Sequence, residues 1–365
     1  MIESKPETKL LLSSPFCNEP GGAIFVYIDE DDQDSAAVGQ ITSLLSRLGA
    51  QAYLNIERIL REGRSAVRIS ASASLRQLTP GFDTTAISQA LRLDILNRAK
   101  DLDLEILLTM ARCPIARIFP NVRELESAIR VRRFAAQAAR QAELSFDTEG
   151  LERPRQYWSY HPETSFTLLP GVSLVDALVH TLQPALSGVT YTFSCFRASE
   201  YILLLALALE LREVNPALHA QIEARWRQRA MMSEEFQAVL LREYGSQQAP
   251  LALKYYVPGE RIWFRNPHEP SSDVRGYEGS WLYYVGAGQF NNFWKRKTPY
   301  TLVTKCLEIY HWRHGLSQDP TGKLTIDESV VEQRVAASLL NPAELERIMG
   351  PVSYTHLTLP TIYSV

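Results

Sequence analysis

Two hydrophobic periods alternate along the chain. Residues 23–28 (Ala-Ile-Phe-Val-Tyr-Ile) form a β-branched and aromatic run, which predicts a strand. Helical spacing follows over 36–48, and a short helix is read at 56–62. Thr79-Pro80-Gly81 punctuates 75–82 as a turn, and Ile87, Leu91 and Ile95 then place a helix over 85–96. The same reasoning gives helices at 103–110 and 122–142. Near Ser145 the pattern changes. Segments 156–160 and 165–169 are strand-like, 173–182 is helical, and 201–209 is an apolar, buried-type helix. Aromatic and β-branched runs at 255–257, 262–264 and 281–285, separated by Gly and Pro, predict short antiparallel strands. Helices at 301–312 and 328–340 close the pattern. Strands clustered in the second half, between helices, predict an α+β architecture rather than a doubly wound sheet. No internal repeat is present. Residues 1–20 are polar and Pro-containing, and a loose segment is expected there. The segment 351–365 sustains neither period and resembles translated sequencing-adapter DNA. It is set aside as a non-native tail, His356 with it, and the natural end is expected elsewhere.

The chain has 365 residues, room for one large or two ordinary domains. A net charge of −3 provides no global field for nucleic acid or an anionic membrane. No apolar stretch approaches the roughly 20 residues a bilayer requires, and no targeting segment stands out. Cys17, Cys113, Cys195 and Cys306 are scattered without a CxxC pair, which argues against a zinc site or disulfide framework. A soluble protein of the reducing cytoplasm is expected. The acidic run 29–34 lacks the glycine and terminal glutamate of a calcium loop and reads as a solvated turn. Arg130-Val131-Arg132-Arg133, diluted by neighbouring acids, reads as a solvated helix face. His311 and His314 are three apart on a helix with no third ligand evident, which favours a surface or helix-end role over a metal pair. His268 is the remaining nearby imidazole.

Cys195 is the residue whose position carries chemistry. It follows Thr192-Phe193-Ser194 and opens the aliphatic helix, so its thiol sits at a first helical turn. Free backbone N–H groups and the positive helix end favour a thiolate there, and the same N–H groups can hold an oxyanion. Read from the residues alone, a small buried hydrophobe is the competing account. A thiol enzyme also needs a proton acceptor. Tyr277-Glu278-Gly279-Ser280 offers Glu278 and Ser280 on one strand face.

Tyr157-Trp158, Phe193-Ser194-Cys195, the run Gly259 to Pro267 and Gly276-Tyr277-Glu278-Gly279 stand in that order, and on these blocks about residues 75–350 resemble the bacterial spore-coat protein-glutamine γ-glutamyltransferase (transglutaminase) family. Tyr157-Trp158 with Leu168 to Pro170 is similar to the strand before the active helix. Phe193-Ser194-Cys195 with Ala198 is similar to the family's Phe-Glu-Cys-Ala-Thr motif, and Gly259-Glu260-Arg261-Ile262-Trp263-Phe264-Arg265-Asn266-Pro267 to its Gly-Asp-Cys-Leu-Tyr-Phe-Lys-Asn-Pro hairpin. Gly276-Tyr277-Glu278-Gly279 is similar to its Gly-Glu-Asn strand, and Asn341-Pro342 to its C-terminal segment. The resemblance implies three parts: an extension over 1–75, a papain-like catalytic domain over 76–350, and the tail.

It also implies acyl transfer. Cys195 would attack the γ-carboxamide of a protein glutamine, ammonia would leave, and a lysine amine would resolve the thioester to an isopeptide. No cofactor or metal is implied. The partners are protein substrates, with neither nucleic acid nor membrane, and a spore-coat location is suggested beside the cytoplasmic one. Oligomeric state is left open. Three positions depart from the family: Ser194 replaces the acid before the cysteine, Ser280 the glutamate, and Phe293 the histidine. Glu278 is then the expected substitute base, re-aimed by a bulge at Gly279. The alternatives are an inactive relative that binds polypeptide and a papain-like amidase that hydrolyses.

Overall fold

The computed structural model describes residues 22–28, 34–147, 152–244, 251–320, 322–349 and 354–358. Strand β1 (Ala23–Tyr27) is buried along its whole length, and α1 (Asp34–Leu48) returns over it. Of the acidic run, 29–33 lie outside the described residues, as does Cys17. Next come β2 (Leu54–Arg61) and β3 (Arg64–Ala71), where a helix was expected at 56–62. The reason is the two-residue connection. Glu62 and Gly63 both have positive φ (52° and 77°), the geometry of the tight hairpin turn that matches strand twist, and Arg61 pairs with Arg64 across it.

Beyond the hairpin, α2 (Ala73–Leu78) forms where only a turn was expected, because Ser72 caps it by accepting the Leu75 N–H. Helix α3 (Ile87–Leu91) is far shorter than 85–96, since Arg92 turns left-handed at φ 53° and ends it. Helix α4 (Ala99–Ala111), β4 (Arg117–Phe119) and α5 (Val122–Gln141) complete the first half. The strand order is β2-β3-β1-β4, with β1 and β4 parallel. The sheet made by 23–71 therefore takes its last strand from 117–119. Its apolar face packs with α1, α4 and α5 into one core.

The second half contains β5 (Ser145–Phe146), the hairpin β6 (Trp158–His161) and β7 (Ser165–Leu168), and the helices α6 (Leu174–Leu182) and α7 (Pro184–Ser187). Then follow β8 (Thr192–Phe193), α8 (Cys195–Val214), α9 (Pro216–Gln228), α10 (Ser233–Leu240) and β9 (Arg242–Tyr244). The closing elements are β10 (Arg261–Arg265), α11 (Glu269–Ser272), β11 (Gly279–Gly286), β12 (Gln289–Phe290), β13 (Tyr300–Thr301), α12 (Leu302–Gly315), β14 (Leu316–Gln318), β15 (Leu324–Ile326), α13 (Glu328–Leu339), α14 (Pro342–Met349) and β16 (Tyr354–Thr358).

A second sheet runs β13-β12-β11-β10-β16-β9, antiparallel throughout. Tyr354–Thr358, in the segment set aside as a tail, thus lies between β10 and β9. Period-two alternation on β11 divides the sheet's two faces. Tyr283 and Val285 join the core under α5, α6 and α8, while Leu282 and Tyr284 join Ile262, Phe264 and residues of α12 on the other face. The 255–257 run is irregular rather than a strand. Thr84 Oγ1 takes the Tyr256 N–H at 2.8 Å and donates to the Tyr256 carbonyl at 2.7 Å, which occupies the groups a ladder would need.

The arginine cluster is not a solvated face. A helix turns about 100° per residue, so Arg130, Arg132 and Arg133 point apart. Arg130 clasps Glu210 of α8 through three contacts of 2.7–3.1 Å, and Arg133 meets Asp103 at 2.7 Å. Arg132 is buried against Glu260 at 3.2 Å, where Arg117 is a second partner at 2.8 Å. His311 likewise is not at the surface. It is buried, with Nε2 2.8 Å from Ser338 Oγ and Nδ1 2.9 Å from His314 Nδ1. His314 is exposed in the last turn of α12, as expected. Among the described residues no group of three His, Cys, Asp or Glu is placed to hold a metal ion, and no helix is long and apolar enough to cross a membrane.

Candidate functional site

Cys195 is the first residue of α8. Ser194, in extended conformation, caps the helix by accepting the Arg197 N–H at 3.2 Å. The strand β8 just before it pairs in parallel with β5, which fixes the entry of the chain into the helix. From Ala198 to Ala208 every residue is buried, so hydrophobic packing holds the helix and thereby the sulfur at its end.

The sulfur faces the start of β11. Gly279 has no side chain for a structural reason: a Cβ there would lie 2.4 Å from the Phe264 carbonyl oxygen and 2.4 Å from the Trp263 indole. Trp281 packs edge-on against Phe196, centroids 5.8 Å apart, and tilted against Trp263 at 4.9 Å. Two clefts adjoin at Cys195. The smaller, about 380 Å³, is bounded by Ser194, Phe196, Trp263, Glu278 and Trp281. The larger, about 510 Å³, runs toward α12 and α13 between Tyr277, Ser280, Trp294, Lys305 and Glu328. Phe146, Gly276 and Gly279 border both. The thiol is therefore not sealed among aliphatic side chains.

Its surroundings are nonetheless dense. Burial pushes the Cys195 thiol up, opposed by the Trp281 backbone N–H, then by the positive charges of Lys305 and Arg261, then by the Phe196 N–H. Helix position alone, the signal available in the sequence, gives no hint of that upward push.

Of the expected partners, Glu278 borders the smaller cleft with Cys195. It is exposed, and its Oε2 accepts the Gly276 N–H at 3.0 Å. The expected bulge at Gly279 is not formed. Pairing with β10 runs unbroken from Gly279 to Tyr283, and the irregularity on β11 falls between Tyr284 and Gly286, against β12. Ser280 is buried in the wall of the larger cleft, whereas Phe293 is core. His268 caps α11, accepting the Ser271 N–H on Nδ1, and His311 and His314 border neither cleft.

Sequence reasoning missed the polar groups of the larger cleft. Lys305 is almost fully buried, with Nζ 2.6 Å from Glu308 and 4.4 Å from the Tyr300 ring centroid. Tyr300 donates to the other Glu308 oxygen at 3.0 Å, and Tyr277 donates to Glu328 at 2.8 Å. The i, i+3 pairing of Lys305 and Glu308 was visible on the predicted helix. That it faces a thiol in a cleft was not.

A family model described as protein-glutamine gamma-glutamyltransferase matches residues 85–308. Among solved structures the chain is similar to a transglutaminase from Geobacillus stearothermophilus without its C-terminal extension, with 17% identity and a TM-score of 0.39 over 59% of this chain and 98% of that one. No curated protein matches the sequence.

Proposed function

Because the chain belongs to the protein-glutamine γ-glutamyltransferase family, we propose that it joins protein glutamines to lysines with Cys195 as the nucleophile, on a papain-like arrangement of helix-borne thiol and facing antiparallel sheet. The observation that carries this reading is the place of Cys195: first residue of a buried helix, opposite Gly279, at the junction of two clefts. Two clefts suit a reaction that admits a donor and an acceptor to one sulfur.

In the proposed reaction the thiol proton passes to Glu278, the acid that borders the smaller cleft. Sulfur adds to the glutamine carboxamide carbon. The tetrahedral oxyanion collapses, the C–N bond breaks and the nitrogen leaves as ammonia with the returned proton. A lysine amine then attacks the thioester, the C–S bond breaks, and the thiol is restored as the isopeptide forms. General acid–base assistance of this kind contributes roughly 10²–10⁴-fold. Incorporation of a labelled primary amine into a glutamine-rich protein tests the reading. Incorporation abolished by Cys195→Ser is the expected result, and none from the folded, reduced full chain contradicts it. Ser280 and Phe293, apolar or weakly polar where the family carries base partners, favour a second reading as an inactive polypeptide-binding relative. Ammonia release without added amine would instead identify an amidase.

A further inference from the structure

Arg261 is the most unusual charged residue near the thiol. Its side chain is 1% exposed, and Nε, Nη1 and Nη2 all lack a hydrogen-bond partner. The guanidinium lies 3.9 Å from the Trp281 ring centroid and 4.7 Å from that of Phe196. Phe196 follows Cys195 in the chain, and the Trp281 backbone N–H is the first of the groups that oppose the upward push of burial on the thiol. A buried cation without hydrogen bonds is costly, and stacking on aromatic faces offsets only part of that cost. The fold thus holds a positive charge without hydrogen bonds against Phe196 and Trp281, the two aromatic residues beside Cys195.

The neighbouring charges answer it only in part, and none hydrogen-bonds to it: Tyr283 and Glu200 oppose the downward push of burial on the guanidinium, as does Cys195 itself. Glu200 of α8 is buried, but its Oε2 is taken by Arg197 at 2.6 Å and by Ser233 at 3.2 Å. Its Oε1 has no partner and makes no ion pair with Arg261 within 4 Å. Tyr283, opposite Arg261 on β11, donates its hydroxyl to the Ser199 carbonyl at 2.8 Å. Lys305 of α12 is balanced by Glu308, and Glu278 lies exposed in the smaller cleft. In the resting protein none of the three guanidinium nitrogens meets an acceptor.

Resting on Cys195 as the reactive thiol, we propose that Arg261 is a positioning residue for charge, the fixed cation against which negative charge develops on the Cys195 sulfur when its S–H bond breaks and the proton leaves to Glu278. Before ionisation Arg261 is a buried cation without a hydrogen-bonded counter-ion. After it, the electron pair left on sulfur provides the counter-charge. Preplaced charge of this kind needs no reorganisation at the moment of reaction. It answers the upward push of burial on the thiol, which a helix end alone does not.

The test is the pH profile of iodoacetamide alkylation of the full chain, with the modified cysteine identified by peptide mass and no glutamine substrate present. Arg261→Met and Arg261→Gln remove the charge, Arg261→Lys keeps it, and circular dichroism selects the folded variants. In either neutral variant the Cys195 midpoint is expected to rise by about one pH unit, with a roughly tenfold slower alkylation at pH 7, while Arg261→Lys stays near wild type. A folded neutral variant with an unshifted midpoint overturns the proposal, and so does Arg261→Lys shifting as far as the neutral variants. If Cys195 is not alkylated in wild type at any pH, the nucleophile reading fails with it. If Cys195 is alkylated but no amine is incorporated, only the transferase reading fails.

Discussion

Ser194 Oγ accepts the backbone N–H of Arg197 at 3.2 Å. The position the family fills with an acid is, in this chain, the cap of the helix that carries Cys195. A hydroxyl here satisfies one of the four free N–H groups of the helix start. Ser194→Ala is expected to cost about 1 kcal/mol, seen as a lower urea midpoint, whereas Ser194→Asp keeps the cap. An alanine variant as stable as wild type would show that the cap carries no stability.

Glu260 and its two arginines form a buried charge cluster. Arg117 of β4 and Arg132 of α5 converge on one carboxylate that is itself fully buried. Gly259 beside it has φ +83°, and a Cβ there would sit 2.1 Å from the Arg132 carbonyl oxygen, so the turn brings backbones into close contact. Glu260→Gln removes the one carboxylate charge that both arginines face. A loss of about 3–5 kcal/mol is predicted, measured by denaturant unfolding. A loss under 1 kcal/mol would mean the arginines find other partners.

Gly279 is the point where strand, indole and thiol meet. A Cβ at this position would meet the Phe264 carbonyl oxygen and the Trp263 ring, each at 2.4 Å, so Gly279→Ala must displace Trp263 or the strand. Overpacking of this kind costs about 1–3 kcal/mol. Because Gly279 borders both clefts, alkylation of Cys195 should slow more than the stability loss explains. A folded alanine variant that alkylates at the wild-type rate would remove Gly279 from the site.

His311 gives a pH dependence. Burial first, and then the neighbouring His314, push its imidazole down to about 4. The unfolded chain titrates near 6.5. Between those values the unfolded state binds a proton that the folded state does not, so the contribution of this residue is full above about pH 6.5 and is lost as pH falls toward 4. Stability measured at pH 7 and pH 4.5 should drop less in His311→Gln than in wild type. Equal drops would refute this account.

Local pattern was enough for the α+β class, the start of a buried helix at Cys195 and the strand at 281–285, because each follows from periodicity or capping within a few residues. It misassigns 56–62, where the positive φ of Glu62 and Gly63 overrides local propensity. It also makes the arginines of 130–133 look solvated, because their acidic partners Glu210, Glu260 and Asp103 are remote in the chain. Helix position singled out Cys195 before the family resemblance did, and neither supplies the groups around it. That Arg261 and Lys305 bring positive charge to that sulfur, that Glu328 lines the cleft and that Phe293 withdraws into the core became visible with the folded chain. The physical reason is that periodicity sets which face of an element is buried, whereas the charge environment of a thiol is a sum over residues brought together by packing.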